Sequence, residues 1–486
     1  MKRITLLFPI LLALSACSGR IDRGALLVRN NPHVTEMDPL ASLSVGNGRF
    51  AFTADVTGLQ TFPERYSKGV PLGTQSQWGW HSFDNPEGLR FEETLRPSDF
   101  GRGREELYAC QIRGGRGELA SNWYRVNPHR LHLGVIGLAD IDEATLSGID
   151  QTLDLREGVL HSAFLSDGAL YHVLTSCDPD KDMVAASVRS DAPIAIRFRF
   201  PYPTGGHSDD ACDWSKDELH QTEIVEQGDG VAVLRHTLGG TVYYVKVSFD
   251  NGALEMVARN EARLTASDHA LNFTALFCEE KPSLTAESAE ASRKASAAWW
   301  RKYWDEGGVV DFSRCTDPRA PELERRVVLS QYLLAVNCAG DVPPQETGLT
   351  YNSWYGKFHM EMIWWHQAHF PLWGHEDLLA RTLPWYGKVE PVARSIAERQ
   401  GFKGVRWMKM TDPSGLEAPS NTGSFLIWQQ PHLIYLAELL WRAKPSQEVI
   451  DRYFDLVMET AEFMADFADY DAEHDRYILK GCIAAQ

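Results

Sequence analysis

Short segments in which apolar and polar residues alternate fill the first half of the chain. Examples are residues 43–45, 49–52, 194–200 and 241–247, and turn-forming Gly, Asn and Asp residues separate such segments at 46–48, 167–168, 239–240 and 250–252. Alternation with a period of two is typical of half-buried strands, and no helical period competes with it between residues 25 and 280. Many short strands with frequent turns predict a large antiparallel β-sandwich, which we place at residues 25–283.

The pattern becomes helical near residue 284. Residues 286–304 are rich in Ala, Glu and Lys, and Trp299, Trp300, Tyr303 and Trp304 on this segment would dock it onto a domain. We interpret residues 284–320 as a helical linker. Residues 321–486 form a predicted α-helical domain, because apolar residues recur there at helical spacing. The predicted helices cover 322–338, 360–370, 389–400, 424–442 and 449–470.

The first residues resemble a secretory signal. Lys2 and Arg3 precede an apolar run over residues 4–14 that is too short to span a bilayer as a stable helix. Residues 14–17 read Leu-Ser-Ala-Cys, which resembles the lipobox of bacterial lipoproteins and implies cleavage before Cys17 and acylation of its thiol. Since Ser18 is not acidic, we expect an outer-membrane lipoprotein that faces the periplasm or the cell surface. The alternative is an ordinary signal with a chance cysteine.

Composition narrows the class of function. The net charge of -18 argues against a nucleic-acid partner, because a phosphate backbone requires a basic face. The seven cysteines after Cys17 form no CxxC pair and no zinc-ligand spacing, so we expect neither a metal nor a cofactor, and we interpret most of them as small buried apolar residues. Fifteen tryptophans suit a carbohydrate partner, since aromatic rings stack on sugar rings, but they also suit an ordinary core.

Three loop segments of the helical half mix aromatic rings with charged and amide groups. They are residues 351–366, 406–420 and 428–432. A sugar site needs rings for stacking and amides, carboxylates and arginines for the hydroxyls. We therefore predict one substrate cleft in these loops. The candidate substrate-binding residues are Trp354, Tyr355, His359, Glu361, Arg406, Trp407, Lys409, Asp412, Trp428, Gln430 and His432.

Glycoside hydrolysis requires two carboxyl groups, one of which donates a proton to the leaving oxygen. The donor must be protonated near neutral pH, which an apolar, ring-lined pocket favours. Glu417 follows Gly415 in a loop between segments that carry Trp407 and Trp428, and we predict that it is the general acid. Asp412 and Glu361 are the other carboxyls of these segments. The alternative for Glu417 is a solvated loop acid or a partner of a helix N-terminus.

The order of a β domain, a helical linker and a helical domain resembles glycoside hydrolase family 65 and its relatives. This resemblance covers nearly the whole mature chain and implies an N-terminal antiparallel β-supersandwich, a linker and a C-terminal (α/α)6 toroid. The family's general acid stands in a Gly-x-Glu context after an aromatic stretch, and Trp407, Thr411, Gly415 and Glu417 fit that spacing. The family's glycone segment corresponds to residues 358–362. Its Trp and Asp are absent here, so the resemblance leaves His359 and Glu361 for the same hydroxyls.

The resemblance also implies inverting hydrolysis. In the family, the catalytic base and the phosphate-binding loops lie well beyond the general acid, so we expect the toroid to be incomplete in this chain, the base to lie beyond residue 486, and activity of this chain to be uncertain. Hydrolysis is favoured because phosphorolysis outside the cytoplasm would release a sugar phosphate where it is hard to use. Three alternatives remain open: a disaccharide phosphorylase, another six-hairpin glycosidase of rhamnosidase-like or trehalase-like type, and a carbohydrate-binding lipoprotein without turnover.

Overall fold

The structure is a computed structural model that describes residues 21–483. The predicted signal segment, including Cys17, lies outside the described residues. A large antiparallel sheet occupies the first half of the chain, and helices dominate the second half. This change of structure near residue 284 agrees with the change of pattern in the sequence.

The strands of the first half carry the numbers β1 to β21. They are β1 (His33–Val34), β2 (Leu43–Gly46), β3 (Phe50–Ala54), β4 (Thr74–Ser76), β5 (Trp80–His81), β6 (Leu95–Ser98), β7 (Glu106–Ala109), β8 (His129–Arg130), β9 (Val135–Leu138), β10 (Ser147–Asp154), β11 (Val159–Ser166), β12 (Ala169–Cys177), β13 (Met183–Ser190), β14 (Ala195–Arg199), β15 (Ser208–Asp209), β16 (His220–Gly228), β17 (Val231–Leu238), β18 (Thr241–Phe249), β19 (Ala253–Ala258), β20 (Glu261–Thr265) and β21 (Ala270–Cys278).

The helices and the remaining strands complete the described residues. The helices are α1 (Arg23–Asn30), α2 (Pro63–Tyr66), α3 (Gly115–Val126), α4 (Ala289–Glu306), α5 (Ala320–Cys338), α6 (Ile363–Gln367), α7 (His369–Leu372), α8 (Glu376–Thr382), α9 (Pro384–Arg399), α10 (His432–Ala443) and α11 (Gln447–Phe467). The later strands are β22 (Asn352–Ser353), β23 (Phe358–His359), β24 (Met410–Thr411), β25 (Ala468–Asp471) and β26 (Arg476–Leu479).

The largest sheet has nine strands in the order β1-β10-β11-β12-β13-β21-β18-β17-β16. A four-stranded sheet, β19-β20-β14-β9, and a three-stranded sheet, β2-β3-β4, accompany it. All of these pairs are antiparallel. Alternate side chains point into one core: Phe164 and Tyr171 are opposite each other on β11 and β12, and their rings stack 5.1 Å apart.

Helix α4 packs against the large sheet, as the aromatic residues of this segment predict. The Ser288 hydroxyl caps its N-terminus by accepting a hydrogen bond from the Ala291 amide. Trp304 is buried and donates a hydrogen bond to the Leu155 carbonyl at 2.6 Å, and the Trp300 ring lies 4.4 Å from the Tyr332 ring on α5. The first long helix of the second half therefore shares its core with the sheet.

Several predicted boundaries were wrong. The segment 360–370 forms the two short helices α6 and α7, and α10 begins at His432 rather than at 424, because residues 424–431 form turns. The chain leaves α11 at Phe467 and forms the β25–β26 hairpin. Helices α1 and α3 lie in the half that we expected to lack helical segments, and the sequence did not predict α8.

The helical half has its own buried cluster, which includes Phe358, Ile363, Leu379, Trp385 and Leu436. None of the seven cysteines between residues 21 and 483 forms a disulfide. Cys110, Cys177 and Cys338 are buried, as interpreted from the sequence, whereas Cys212, Cys278 and Cys482 are half-buried and Cys315 is exposed, so the interpretation was wrong for these four. Within the same residues, no helix is both long enough and apolar enough to cross a bilayer.

Candidate functional site

Two long loops of the helical half meet at one place. The first loop, residues 339–362, joins α5 to α6, and the second, residues 400–431, joins α9 to α10. Strands β23 and β24 pair antiparallel and connect them, with Phe358 opposite Thr411 and His359 opposite Met410. Strand β22 of the first loop also pairs with β15 of the first half of the chain. This short ladder explains why segments about fifty residues apart in sequence share a site.

A group of charged and aromatic side chains lies where the loops meet, and we name it the Lys409 cluster. The Lys409 ammonium lies 3.0 Å from the Glu361 carboxylate, and the Trp428 indole donates a hydrogen bond to the other Glu361 oxygen at 3.0 Å. Lys409 also lies 4.7 Å from the centre of the Trp354 ring, a cation–π distance. The cluster consists of Glu346, Trp354, His359, Glu361, Lys409 and Trp428.

The backbone of the first loop is strained at the cluster. Trp354 and Tyr355 have φ angles of 50° and 62°, in the left-handed region that side chains other than glycine rarely adopt, and Gly356 follows with a φ of 72°. Strained residues of this kind concentrate at binding and catalytic sites. The strain turns the half-buried Trp354 ring toward Lys409 and toward the His359 ring, whose centre lies 6.1 Å away.

Glu346 belongs to the cluster, although the sequence did not identify it as a candidate. Its half-buried carboxylate accepts hydrogen bonds from the Trp354 and Ser353 side chains and lies within electrostatic range of Lys409 and Glu361. Burial is the largest effect on this group and raises its pKa above the ordinary value; the positive charge of Lys409, the next largest effect, opposes the rise, and the negative charge of Glu361 adds to it.

Two histidines of the predicted site are buried and differ in their contacts. His359 has no hydrogen-bond partner on either ring nitrogen among residues 21–483, and its Nε2 lies 3.7 Å from Glu361. Burial, followed by the charge of Lys409, lowers the pKa of His359 well below its usual value, so the imidazole is neutral. His432 is hydrogen-bonded through Nδ1 to the Met360 carbonyl at 3.2 Å, and burial lowers its pKa as well.

Aromatic rings extend the cluster toward solvent. The half-buried Trp428 ring lies 5.4 Å from the Trp365 ring, and Trp365 is 55% exposed. On the other side, the Arg125 guanidinium on α3 lies 5.7 Å from the Trp354 ring, and the His207 ring lies 4.4 Å from it. The half of the chain that contains the large sheet therefore contributes to the rim of the site.

Glu417 has an environment different from the one that we expected. It is 2% exposed and forms an ion pair with Arg399, at the end of α9. The aromatic ring next to Glu417 is that of Trp354. Both residues border a small void of about 10 Å³, which has room for about one water. The flanking Trp407 and Trp428 direct their indole N–H groups elsewhere, to Thr460 and Glu361.

Asp412 organises its own loop. One of its carboxylate oxygens accepts hydrogen bonds from the Ser414 amide at 2.8 Å, the Ser414 hydroxyl at 2.6 Å and the Leu416 amide at 3.1 Å. This is the side-chain-to-backbone pattern of an Asx turn. Asp412 therefore positions the segment that carries Glu417.

Three other predicted substrate-binding residues do not reach the cluster. Arg406, Trp407 and Gln430 are buried and bond to one another: Gln430 accepts from the Trp407 amide at 2.9 Å and from Arg406 at 3.2 Å. Arg406 also donates to the Leu426 carbonyl, and burial lowers its pKa to about 10. Their polar groups are used inside the protein, so the predicted convergence of all the candidates on one cleft is corrected for these three.

The structure thus brings together Trp354, Tyr355, His359, Glu361, Lys409, Trp428 and His432 around the meeting of the two loops. Sequence reasoning missed Glu346, Arg399 and Arg125. Glu346 follows two prolines and a glutamine directly before the first predicted loop segment, and this loop composition was the available signal. Arg399 and Arg125 stand at helix ends, where a basic residue is ordinarily explained by the helix dipole.

Comparisons with known proteins identify a solved structure with the same fold. No known family profile matches the sequence, and neither does any curated protein sequence. A solved structure provisionally described as a kojibiose phosphorylase from human microbiome aligns with a TM-score of 0.65 and 11% identity, over 94% of this chain and 62% of that one. This chain therefore corresponds to less than two thirds of that protein's length.

A bacterial glucoamylase complexed with acarbose aligns with a TM-score of 0.47 and 10% identity, over 89% of this chain and 60% of that one. The first alignment shows that this chain, with its large antiparallel sheet followed by helices, shares its fold with the phosphorylase-like protein.

Proposed function

We propose that this chain is a carbohydrate-active enzyme of glycosidase type that hydrolyses an oligosaccharide or glycoconjugate with inversion. The observation that carries the proposal is the Lys409 cluster, in which Glu361 is fixed between Lys409 and Trp428 beside half-buried tryptophan rings. Sugars are bound by rings that cover their apolar faces and by charged groups that bond their hydroxyls. Two carboxylates at one such place also meet the chemical need of glycoside cleavage.

The fold supports the same class of function. The aligned protein is described as a kojibiose phosphorylase, so a sheet-and-helix chain of this shape occurs in a protein with that description. We accordingly propose that the sheets form a β-supersandwich and that the helices of the second half form an arc of an (α/α)6 toroid. Since one fold hosts many functions, the Lys409 cluster is the main support for a carbohydrate substrate.

Phosphorolysis is the second candidate function, and the description of the aligned protein favours it. The two reactions differ in the group that attacks the anomeric carbon, which is water in hydrolysis and inorganic phosphate in phosphorolysis. In both reactions, a protonated group must assist the leaving oxygen. The Lys409 cluster serves either reaction, so the products have to distinguish them.

The test is a product analysis of the purified chain with α- and β-linked disaccharides, with and without inorganic phosphate. Hydrolysis predicts free sugar at the same rate in both conditions, and proton NMR of the first product should show the anomer opposite to that of the substrate. A sugar 1-phosphate that forms only with phosphate would establish phosphorolysis. Saturable binding of an oligosaccharide without any product would identify a binding protein instead.

For location, we propose attachment to the outer membrane through an acylated Cys17, with the rest of the chain facing the periplasm or the cell surface. The support is the lipobox-like segment 14–17 after a short apolar run. Lipid attachment would hold the enzyme near polymeric sugars outside the cytoplasm, while the lipid alone would contact the membrane.

A further inference from the structure

A row of aromatic rings leads away from the Lys409 cluster along α6 and α7. Trp365, His369 and Trp373 are spaced four residues apart, and Ala368, between the two helices, also has helical backbone angles. The three rings therefore share one helical face, and the row is about 12 Å long at the usual rise per residue. Trp365 begins the row, and the centre of its ring lies 5.4 Å from that of Trp428, a member of the cluster. The row is thus continuous with the cluster.

These rings border a groove of about 290 Å³ between α5 and the segment of α6 and α7, which we name the α5–α7 groove. Trp365 is 55% exposed and Trp373 is half-buried, so both rings keep surface that a ligand can cover. Ser330 and Gln331 of α5 line the groove as well and contribute a hydroxyl and an amide group. Aromatic surface beside a few polar groups is the usual lining of a small-ligand site and suits a sugar ring.

The charges of the α5–α7 groove favour a neutral ligand. Arg326 of α5 lines the groove, but it forms an exposed ion pair with Glu322 at 2.8 Å, so its charge is compensated. Burial lowers the pKa of His369 to about 4, so its imidazole is neutral. Its Nε2 donates a hydrogen bond to the His366 carbonyl at 3.1 Å, which makes Nδ1 an acceptor. A ligand with hydroxyl groups and without charge fits this lining.

We propose that the α5–α7 groove binds the distal sugar residues of a neutral oligosaccharide whose reacting end lies at the Lys409 cluster; this inference rests on the proposed function. Trp365 stacks on the distal sugar nearest the cluster, and Trp373 stacks on a sugar farther along the row. Each further sugar covers ring surface that water otherwise contacts, so affinity rises with the length of the oligosaccharide until the row ends. The chain therefore prefers substrates longer than a disaccharide.

The experiment measures binding as a function of oligosaccharide length. An array of immobilised neutral glycans of two to six residues identifies a linkage that the wild type binds, and isothermal titration calorimetry gives the Kd of each member of that series. We expect the hexasaccharide to bind the wild type about tenfold more tightly than the disaccharide, since one buried tryptophan contact can contribute that much. Trp365→Ala should remove most of this difference and leave the disaccharide affinity unchanged. Trp373→Ala should weaken the binding of the longest members alone.

Trp441→Ala is the matched control, because Trp441 on α10 is 43% exposed and does not line the α5–α7 groove. This variant should keep the wild-type dependence on length. Trp365→Phe, which keeps a smaller ring, should retain part of it. Thermal unfolding shows whether each variant folds, and multi-angle light scattering gives its oligomeric state, because exposed rings can also be covered by a second copy of the chain.

Three results would overturn the inference alone: no bound glycan on the array, equal affinities of the wild type for the disaccharide and the hexasaccharide, or a dependence on length that survives in Trp365→Ala. A wild-type dimer that becomes a monomer in Trp365→Ala would assign the rings to self-association and overturn it as well. Turnover of a disaccharide would leave the proposed function in place in each of these cases. Binding that depends on length and on Trp365, without any turnover, would overturn the proposed hydrolysis and support the groove as a binding site.

Discussion

Arg399 binds Glu417 and, through its Nε, donates a hydrogen bond to the Leu107 carbonyl on β7 at 3.1 Å. One guanidinium at the end of α9 thus ties the loop that carries Glu417 to a strand of the first half of the chain. Glu417 is almost fully buried here, and its second oxygen has no partner among residues 21–483. The acid identified from the sequence is therefore part of the junction between the two halves.

This junction predicts a large effect on stability. Removing one partner of a buried ion pair leaves an uncompensated charge and costs about 3–5 kcal/mol. We expect Arg399→Gln to lower the free energy of unfolding by about that amount, measured by urea denaturation at pH 7. The exposed pair Arg442–Glu438 is the control, and Arg442→Gln should cost less than about 1 kcal/mol. Similar losses in the two variants would contradict a structural role for Arg399.

Glu417→Gln tests the role assigned from the sequence. As the general acid, Glu417 would account for about 10²- to 10⁴-fold of the turnover of substrates with poor leaving groups. The assay uses a temperature at which the variant is folded, as judged by circular dichroism. A loss of that size would support Glu417 as the acid, whereas a loss that follows only the unfolded fraction would assign it to the junction with Arg399.

Four buried histidines predict acid-sensitive stability. The His81 and His129 rings lie 5.4 Å apart, and the His220 and His236 rings lie 5.1 Å apart. Burial lowers the pKa of His81 to about 4 and of His129 to about 3, and it also lowers those of His220 and His236. Below pH 6.5 the unfolded chain binds protons that the folded chain cannot, so this stability is complete above pH 6.5 and is lost as the pH falls toward 4.

The measurement is the urea midpoint between pH 7.5 and pH 4.5. Each unit by which a folded-state pKa is lowered corresponds to about 1.4 kcal/mol. His129→Phe should flatten the pH dependence, because the ring is kept and the titrating group is removed. A slope for His129→Phe equal to that of wild type would refute the prediction.

Gly356 determines the shape of the first loop. Its φ is 72°, and a Cβ added there would lie 2.1 Å from the Arg130 Cβ. Gly356→Ala should therefore lower the stability in two ways, by left-handed backbone strain and by the shift that the added Cβ forces, which costs about 1–3 kcal/mol in addition. It should also weaken sugar binding, because the shift displaces Trp354. Gly88→Ala is the matched control, since Gly88 has a φ of 58° and nothing within 4 Å of the added Cβ. Equal thermal shifts in the two variants would show that the contact with Arg130 is unimportant.

Trp428 contributes both a ring and a hydrogen bond to the site. We expect Trp428→Phe, which keeps a ring for stacking but loses the donor that positions Glu361, to weaken oligosaccharide binding. Trp428→Ala should weaken it further. Isothermal titration calorimetry gives the affinities, and Trp441→Phe on α10 should bind like wild type. An unchanged affinity in Trp428→Ala would place the sugar elsewhere.

Cys17 predicts lipid attachment. Cys17→Ser expressed in the native host should lose labelling by a radioactive fatty acid and move from the membrane fraction to the soluble fraction, because the acylated thiol is replaced. Ser18→Ala is the control and should keep the label. A wild-type protein without label would show that the lipobox match arose by chance.

The sequence by itself determined the broad arrangement of this protein. Alternation with a period of two predicted the large antiparallel sheet, and the change to helical spacing near residue 284 predicted α4, α5, α9 and α11 to within a few residues. Both patterns result from burying one face of a strand or a helix, and the spacing of apolar residues along the chain shows that directly. Helix α3 was missed because it has Gly115 and Gly117 in its first turn and buries only Ala120 and Ser121.

Tertiary structure decided which of the candidate residues meet. Arg406, Trp407 and Glu361 come from equally polar and aromatic loops, yet two of them are enclosed in the interior and one faces Lys409. The register of β23 on β24 makes that difference, and such a long-range pairing leaves no local pattern in the chain. Glu346 became part of the cluster in the same way, because the charge of Lys409 on the second loop reaches it only after the two loops have met.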